Sequence, residues 1–125
     1  MIKIFLAVFI GGGIGSFCRY MLGAFFAKYY PTVFPLSTFL INIIGCFLIG
    51  LLYVMSNKYH WFGNEWRLLL ITGYCGAFTT FSTFAFENIK LLQSGQIATF
   101  ITYSLLSYTL GLLAVLAGIS FSRIL

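Results

Sequence analysis

The sequence predicts an all-α integral membrane protein of four transmembrane helices, and three observations carry that reading. Hydrophobic residues make up 61% of the chain and charged residues only 7%, where soluble domains carry about 25% charged residues. Mean hydropathy is +1.02. The apolar residues also fall into four runs, each long enough for the ~20 residues that a bilayer crossing needs at 1.5 Å rise. Four crossings use roughly 80 to 100 residues of the 125, so only short connectors remain. A soluble enzyme domain is excluded, and so is a pump carrying its own nucleotide-binding domain. The chain reads as a single membrane domain spanning residues 1–125.

The first run extends from about Ile2 to Ala27. Lys3 ahead of apolar sequence resembles a signal peptide, but the run continues well past a core of about 7 to 15 residues and lacks a small-x-small cleavage pattern. It therefore reads as a mature helix. Its cluster Gly11-Gly12-Gly13-Ile14-Gly15-Ser16 lies inside an apolar span with no strand-helix-strand unit around it, so close helix contact is its default role, not dinucleotide binding. Arg19 follows. An intramembrane arginine is a functional candidate that would draw anions into a vestibule, and snorkelling from a helix end accounts for it equally well.

The second run extends from about Pro35 to Ser56, after the interfacial signals Lys28-Tyr29-Tyr30-Pro31. Thr38, Asn42 and Cys46 stand four apart and share one helical face. The third run, about Trp66 to Leu92, follows the connector from Asn57 to Glu65. Its stretch from Gly73 to Phe84 places two glycines and four hydroxyl residues near mid-span. Glycine costs roughly 1 kcal/mol relative to alanine in a helix, and β-branched threonine adds a smaller penalty, so the sequence predicts a helix broken near its middle. Unwound backbone in hydrocarbon must be satisfied by protein, water or an ion, which is why such breaks line transport sites. A small-residue packing face with hydroxyls bonded back to the helix is the alternative.

Phe81 and Phe84 share a face of the same run. Their ring edges are partially positive and suit a small anion; plain packing explains an aromatic pair too. Glu87 follows, either as a hydrogen-bonding group at a pore entrance or as an interfacial residue beside Lys90. The fourth run, about Gln96 to Ser122, begins after Gln93-Ser94-Gly95 and carries Thr99, Tyr103, Ser107 and Gly111 at four-residue spacing. Neutral hydroxyl and amide donors can replace part of an anion's hydration shell without adding fixed charge. Interhelical hydrogen bonding is the ordinary role of any one of them. Three polar stripes together make a polar pathway plausible.

The net charge of +5 does not indicate nucleic acid, because the seven cations are scattered along the chain, mostly near the ends of the runs, where they meet lipid headgroups. Lys3, Lys58, Arg67 and Arg123 stand on one side against Arg19, Lys28 and Lys90 on the other. That near balance permits insertion in both orientations and an antiparallel dimer, or a single orientation with weak bias. Cys18, Cys46 and Cys75 are widely spaced in apolar sequence and read as small core residues. His60 has no second ligand at metal-binding spacing, and no Ser-His-Asp or paired-carboxylate set is present for hydrolysis.

The segment Gly-Gly-x-Gly-Ser-x-x-Arg-Tyr ending at Tyr20, the Thr38 to Asn42 segment with Gly45, and Gly76 to Phe84 with Thr-Thr-Phe-Ser-Thr-Phe together resemble the Fluc/CrcB fluoride channel family. The resemblance covers all four spans, and the third-run motif is its specific part. It implies a non-enzymatic, fluoride-selective channel of the bacterial inner membrane. The channel would be an antiparallel dual-topology homodimer with two fluoride pathways, lowering cytoplasmic fluoride by passive export. It further implies a central structural Na⁺ held by backbone carbonyls of Gly76 and Thr79 from each subunit. The pathway residues carried over are Phe81, Phe84, Asn42, Thr38, Thr83, Tyr103 and Ser107, with Arg19 in the vestibule and Glu87 along the conductive path. Gly111 stands at a track position that can carry a hydroxyl in the family.

Two competitors remain at the level of composition. A small dual-topology multidrug transporter needs a membrane-embedded carboxylate for proton coupling, commonly in its first helix, and the first run contains no Asp or Glu. A non-transport membrane subunit would not require polar stripes converging on a broken helix.

Overall fold

A computed structural model describes all 125 residues, and it is helical throughout. Helix α1 covers Ile2–Tyr29 and α2 covers Leu36–Lys58. The third span, Asn64–Gln93, is composite. It comprises a short α3 (Asn64–Arg67), a π-helical segment (Leu68–Cys75), a last turn α4 (Gly76–Phe78) and α5 (Phe81–Gln93). Helix α6 covers Ile97–Ile124. The four spans are long and apolar enough to cross a membrane, and their ends fall close to those expected from the apolar runs. Lys28, Lys58, Lys90 and Arg123 occupy last helical turns, where cations complement the exposed carbonyls and reach the headgroups.

The turn between α5 and α6 is the tightest connection. Gly95 has φ +77°, Gln96 N–H bonds to the Leu91 carbonyl at 2.8 Å and Gly95 N–H to that of Leu92 at 3.2 Å. This is a Schellman closure, whose left-handed position glycine fills without strain.

Packing is by small residues. On α2 and α6, Gly50 lies against the Val115 carbonyl and Gly118 against that of Phe47, so a Cβ at either position would collide with backbone. On α1, Gly11 and Gly15 face the Leu69 and Tyr74 carbonyls, and Gly73 answers with Val8 O at 2.9 Å from where its Cβ would stand. The glycine cluster is thus a contact surface for the π segment. Without a hydrophobic force between helices in lipid, such close backbone approach supplies the packing. Large apolar side chains point outward: Phe5, Phe9, Phe17, Leu105 and Leu116 are all exposed, and only 18 of 125 residues are buried. That distribution suits acyl chains as the surrounding solvent.

Candidate functional site

Between Phe78 and Phe81 the third span leaves helical geometry. Thr79 (φ −79°, ψ 159°) and Thr80 (φ −151°, ψ 120°) are extended. Extended residues inside a span expose backbone groups, and each must find a partner. Asn42 takes both groups of Thr80: its Nδ2 donates to the Thr80 carbonyl at 3.1 Å and its Oδ1 accepts from Thr80 N–H at 2.8 Å. Thr80 in turn caps α5, its Oγ1 accepting from Thr83 N–H at 3.2 Å and donating to Thr83 Oγ1 at 3.1 Å. Arg19 Nε donates to the Ala77 carbonyl at 3.0 Å, on the last turn before the extended pair.

These diversions have a consequence for two carbonyls. In a continuous helix, Gly76 would accept from Thr80 N–H and Thr79 from Thr83 N–H. Both amides bond instead to side chains, those of Asn42 and Thr80. The Gly76 and Thr79 carbonyls are therefore released from those bonds. They are hard oxygen donors, the chemistry an alkali or alkaline-earth cation requires, although one chain offers too few for a full shell. Thr79 is itself held by its hydroxyl, which donates to the Cys75 carbonyl at 2.9 Å, and by its methyl group, which occupies the space left open at Gly45.

Beside the extended pair lies a cavity of about 400 Å³. Asn42, Gly76, Thr79, Phe81, Phe84 and Ser107 all line it, together with Cys46 and Cys75, and no charged residue does. Ser107 Oγ is buried there without a hydrogen-bond partner. An orphaned buried hydroxyl is uncommon and costs about 1–3 kcal/mol. It marks a place where a polar guest would be welcome. The Phe81 and Phe84 rings stand 5.9 Å apart at 41°, and Phe81 is 74% exposed on the isolated chain.

Tyr103 links this cavity to a second one. Its ring, fully buried, packs on Phe84 at 4.9 Å, and its hydroxyl donates to Glu87 Oε1 at 2.8 Å. Thr38 donates to Glu87 Oε2 at 2.9 Å. Thr38 and Glu87 line a cavity of about 330 Å³ beneath the connector between α1 and α2. Asn42 and Ser107 thus line the first cavity and Thr38 and Glu87 the second, while Tyr103 and Thr83 line neither: Tyr103 bridges Phe84 to Glu87, and Thr83 bonds to Thr80. Arg19 lines neither and sits on Ala77. Sequence reasoning did not single out Thr80, whose cap and backbone pairing organise the interruption. A threonine three residues ahead of another, at a helix restart, is the signal available for it. The π segment was not expected either, and its run Leu-Leu-Leu-Ile carries no mark of it.

The family model described as CrcB-like protein, Camphor Resistance (CrcB), matches residues 6–119. A protein named fluoride-specific ion channel FluC from Phocaeicola vulgatus is 46% identical over 121 residues, covering 97% of this chain and 99% of its own length. Proteins of the same name from Azobacteroides pseudotrichonymphae and Flavobacterium psychrophilum are 44% identical over 116 residues and 43% over 121. They cover 93% and 97% of this chain, and 92% and 98% of their own lengths. Those names denote ion channels, not enzymes. With four membrane-spanning helices and a match across nearly its whole length, this multi-pass bacterial membrane protein belongs to the CrcB-like family.

Proposed function

We propose that this chain is a fluoride-selective channel that lets fluoride leave the cell passively, down the membrane potential. The observation that carries the reading is the uncharged cavity at the extended pair, where the unpartnered Ser107 hydroxyl, the spare N–H of Asn42 and the Phe81 and Phe84 rings converge. Fluoride is small and strongly hydrated. Neutral donors and ring edges compensate its dehydration without holding it as a fixed cation would. From there Phe84, Tyr103 and Thr38 lead to Glu87, and Thr83 supports the path through Thr80. Arg19 adds positive potential on the α1 side.

The working unit is an antiparallel, dual-topology homodimer in the bacterial inner membrane. Three features support this: the near balance of seven cations, the scarcity of buried residues in one chain, and the exposure of Phe81. A facing copy would cover Phe81 and close the cavity. At the twofold, the released carbonyls of Gly76 and Thr79 from both copies would supply four oxygens for a structural Na⁺. When bound, that ion supplies a fixed positive charge that braces the centre of the dimer.

The experiment is fluoride efflux from liposomes holding the purified protein, with chloride efflux and proton–drug exchange as controls. Fluoride release without chloride release is expected; equal permeation of both, or none of fluoride, overturns the reading. Replacing Na⁺ by a larger monovalent cation should weaken the central site, and wholly cation-independent activity and assembly would remove Gly76 and Thr79 from it.

A further inference from the structure

The cavity of about 330 Å³ near the connector between α1 and α2, where the proposed fluoride path reaches Glu87, also has groups that suit a cation. The Glu87 carboxylate reaches it, and Phe26, Tyr30 and Phe34 contribute to its wall. Thr38 and Tyr103 each donate one hydrogen bond to that carboxylate, which fixes its position and leaves further lone pairs on both oxygens. None of the neighbouring cations forms a direct ion pair with it. Lys90, one turn along α5, lies over the Phe86 ring at 5.7 Å, Lys28 over Tyr29 at 5.3 Å, and Arg19 bonds to Ala77. A half-buried carboxylate with no cation in ion-pair contact is costly, and a mobile cation relieves the cost. Aromatic faces favour the same sign of charge. The cavity is also far larger than a bare metal ion needs.

We propose that this cavity is a binding site for a small organic cation of the guanidinium class, paired with Glu87 and stacked against the aromatic wall. A guanidinium offers a planar fork to a carboxylate and a flat face to rings at once. Its binding pins the carboxylate where it accepts both the Thr38 and Tyr103 hydroxyl protons, which withdraws those donors from a passing fluoride and lowers flux. The effect on flux rests on the channel reading given above; the binding itself does not.

The test titrates guanidinium chloride, at millimolar and non-denaturing concentration, into the protein in lipid nanodiscs by calorimetry, against sodium chloride at matched ionic strength. Saturable binding is expected with guanidinium alone. Glu87→Gln should weaken it by at least about tenfold, and Tyr30→Leu, which keeps the apolar bulk and loses the ring, on the order of fivefold. Fluoride efflux from proteoliposomes should fall with guanidinium, and Tyr30→Leu should need proportionally more. Absence of saturable binding, an equal response to sodium, or binding unchanged in both variants overturns the site. Binding with no loss of flux in a conducting channel overturns the regulatory step. Binding by a protein that conducts no fluoride leaves the site standing and rejects the channel reading instead.

Discussion

Replacing Asn42 by alanine removes both side-chain bonds to Thr80, the 3.1 Å donation to its carbonyl and the 2.8 Å acceptance from its N–H. If nothing else moves, two backbone groups in a membrane span lose their partners. At about 1–3 kcal/mol each, the cost is about 2–6 kcal/mol. The chain has a less costly alternative, in which Thr80 N–H returns to the Gly76 carbonyl and the turn rewinds. That outcome occupies the carbonyl proposed for sodium and rotates Phe81 away from the cavity. Either way fluoride efflux should fall by at least about tenfold, the equivalent of 1.4 kcal/mol lost from the path. The α2–α6 packing at Gly50 and Gly118 is untouched, so the chain should still fold and elute at the wild-type position, that of a dimer on the assembly proposed above. Asn42→Asp should fail as well, because its carboxylate keeps the acceptor for Thr80 N–H but sets negative charge against the Thr80 carbonyl. The assay is efflux from proteoliposomes with a fluoride electrode, paired with thermal melting of the same preparations. Wild-type efflux together with wild-type melting in Asn42→Ala would refute the claim that this amide holds the extended pair.

Ser107→Ala removes a buried hydroxyl that has no partner, so stability should be unchanged or rise by about 1 kcal/mol while fluoride efflux falls; a parallel loss of both points to a structural hydroxyl instead. Phe81→Ile alters a side chain that is 74% exposed, so the folded chain should tolerate it, and efflux measured beside melting should show lost flux without lost stability. Gly118→Val would drive a side chain into the Phe47 carbonyl. Destabilisation of about 1–3 kcal/mol is expected, seen as a lowered melting temperature and loss of the monodisperse peak in size-exclusion chromatography.

The four spans were legible because apolar length is a one-dimensional signal that the bilayer reads directly. Gly95 was legible as a turn for a similar local reason: only a residue without a Cβ closes that helix end easily. The glycines at positions 11 to 15 announced close contact, but not that the contact would be a π-helical segment. The polar stripes named Thr38, Asn42, Tyr103 and Ser107 by spacing, yet spacing is silent on partners. Thr38 and Tyr103 meet on one carboxylate, Asn42 pairs with a backbone 38 residues away, and Ser107 meets nothing. Those three fates differ chemically while the sequence pattern is the same.

By itself the sequence determined the solvent, the number of crossings and the neutral character of the polar residues, because these follow from composition and period along one strand of chain. Tertiary structure alone decided which backbone groups are satisfied and which are released. A hydrogen bond depends on an atom from another helix arriving within about 3 Å, and no local pattern specifies that arrival. The Gly76 and Thr79 carbonyls illustrate the difference. Their residue types suggested a weak helix, but their freedom from helical partners exists only because Asn42 comes from α2 and Thr80 turns its hydroxyl toward α5.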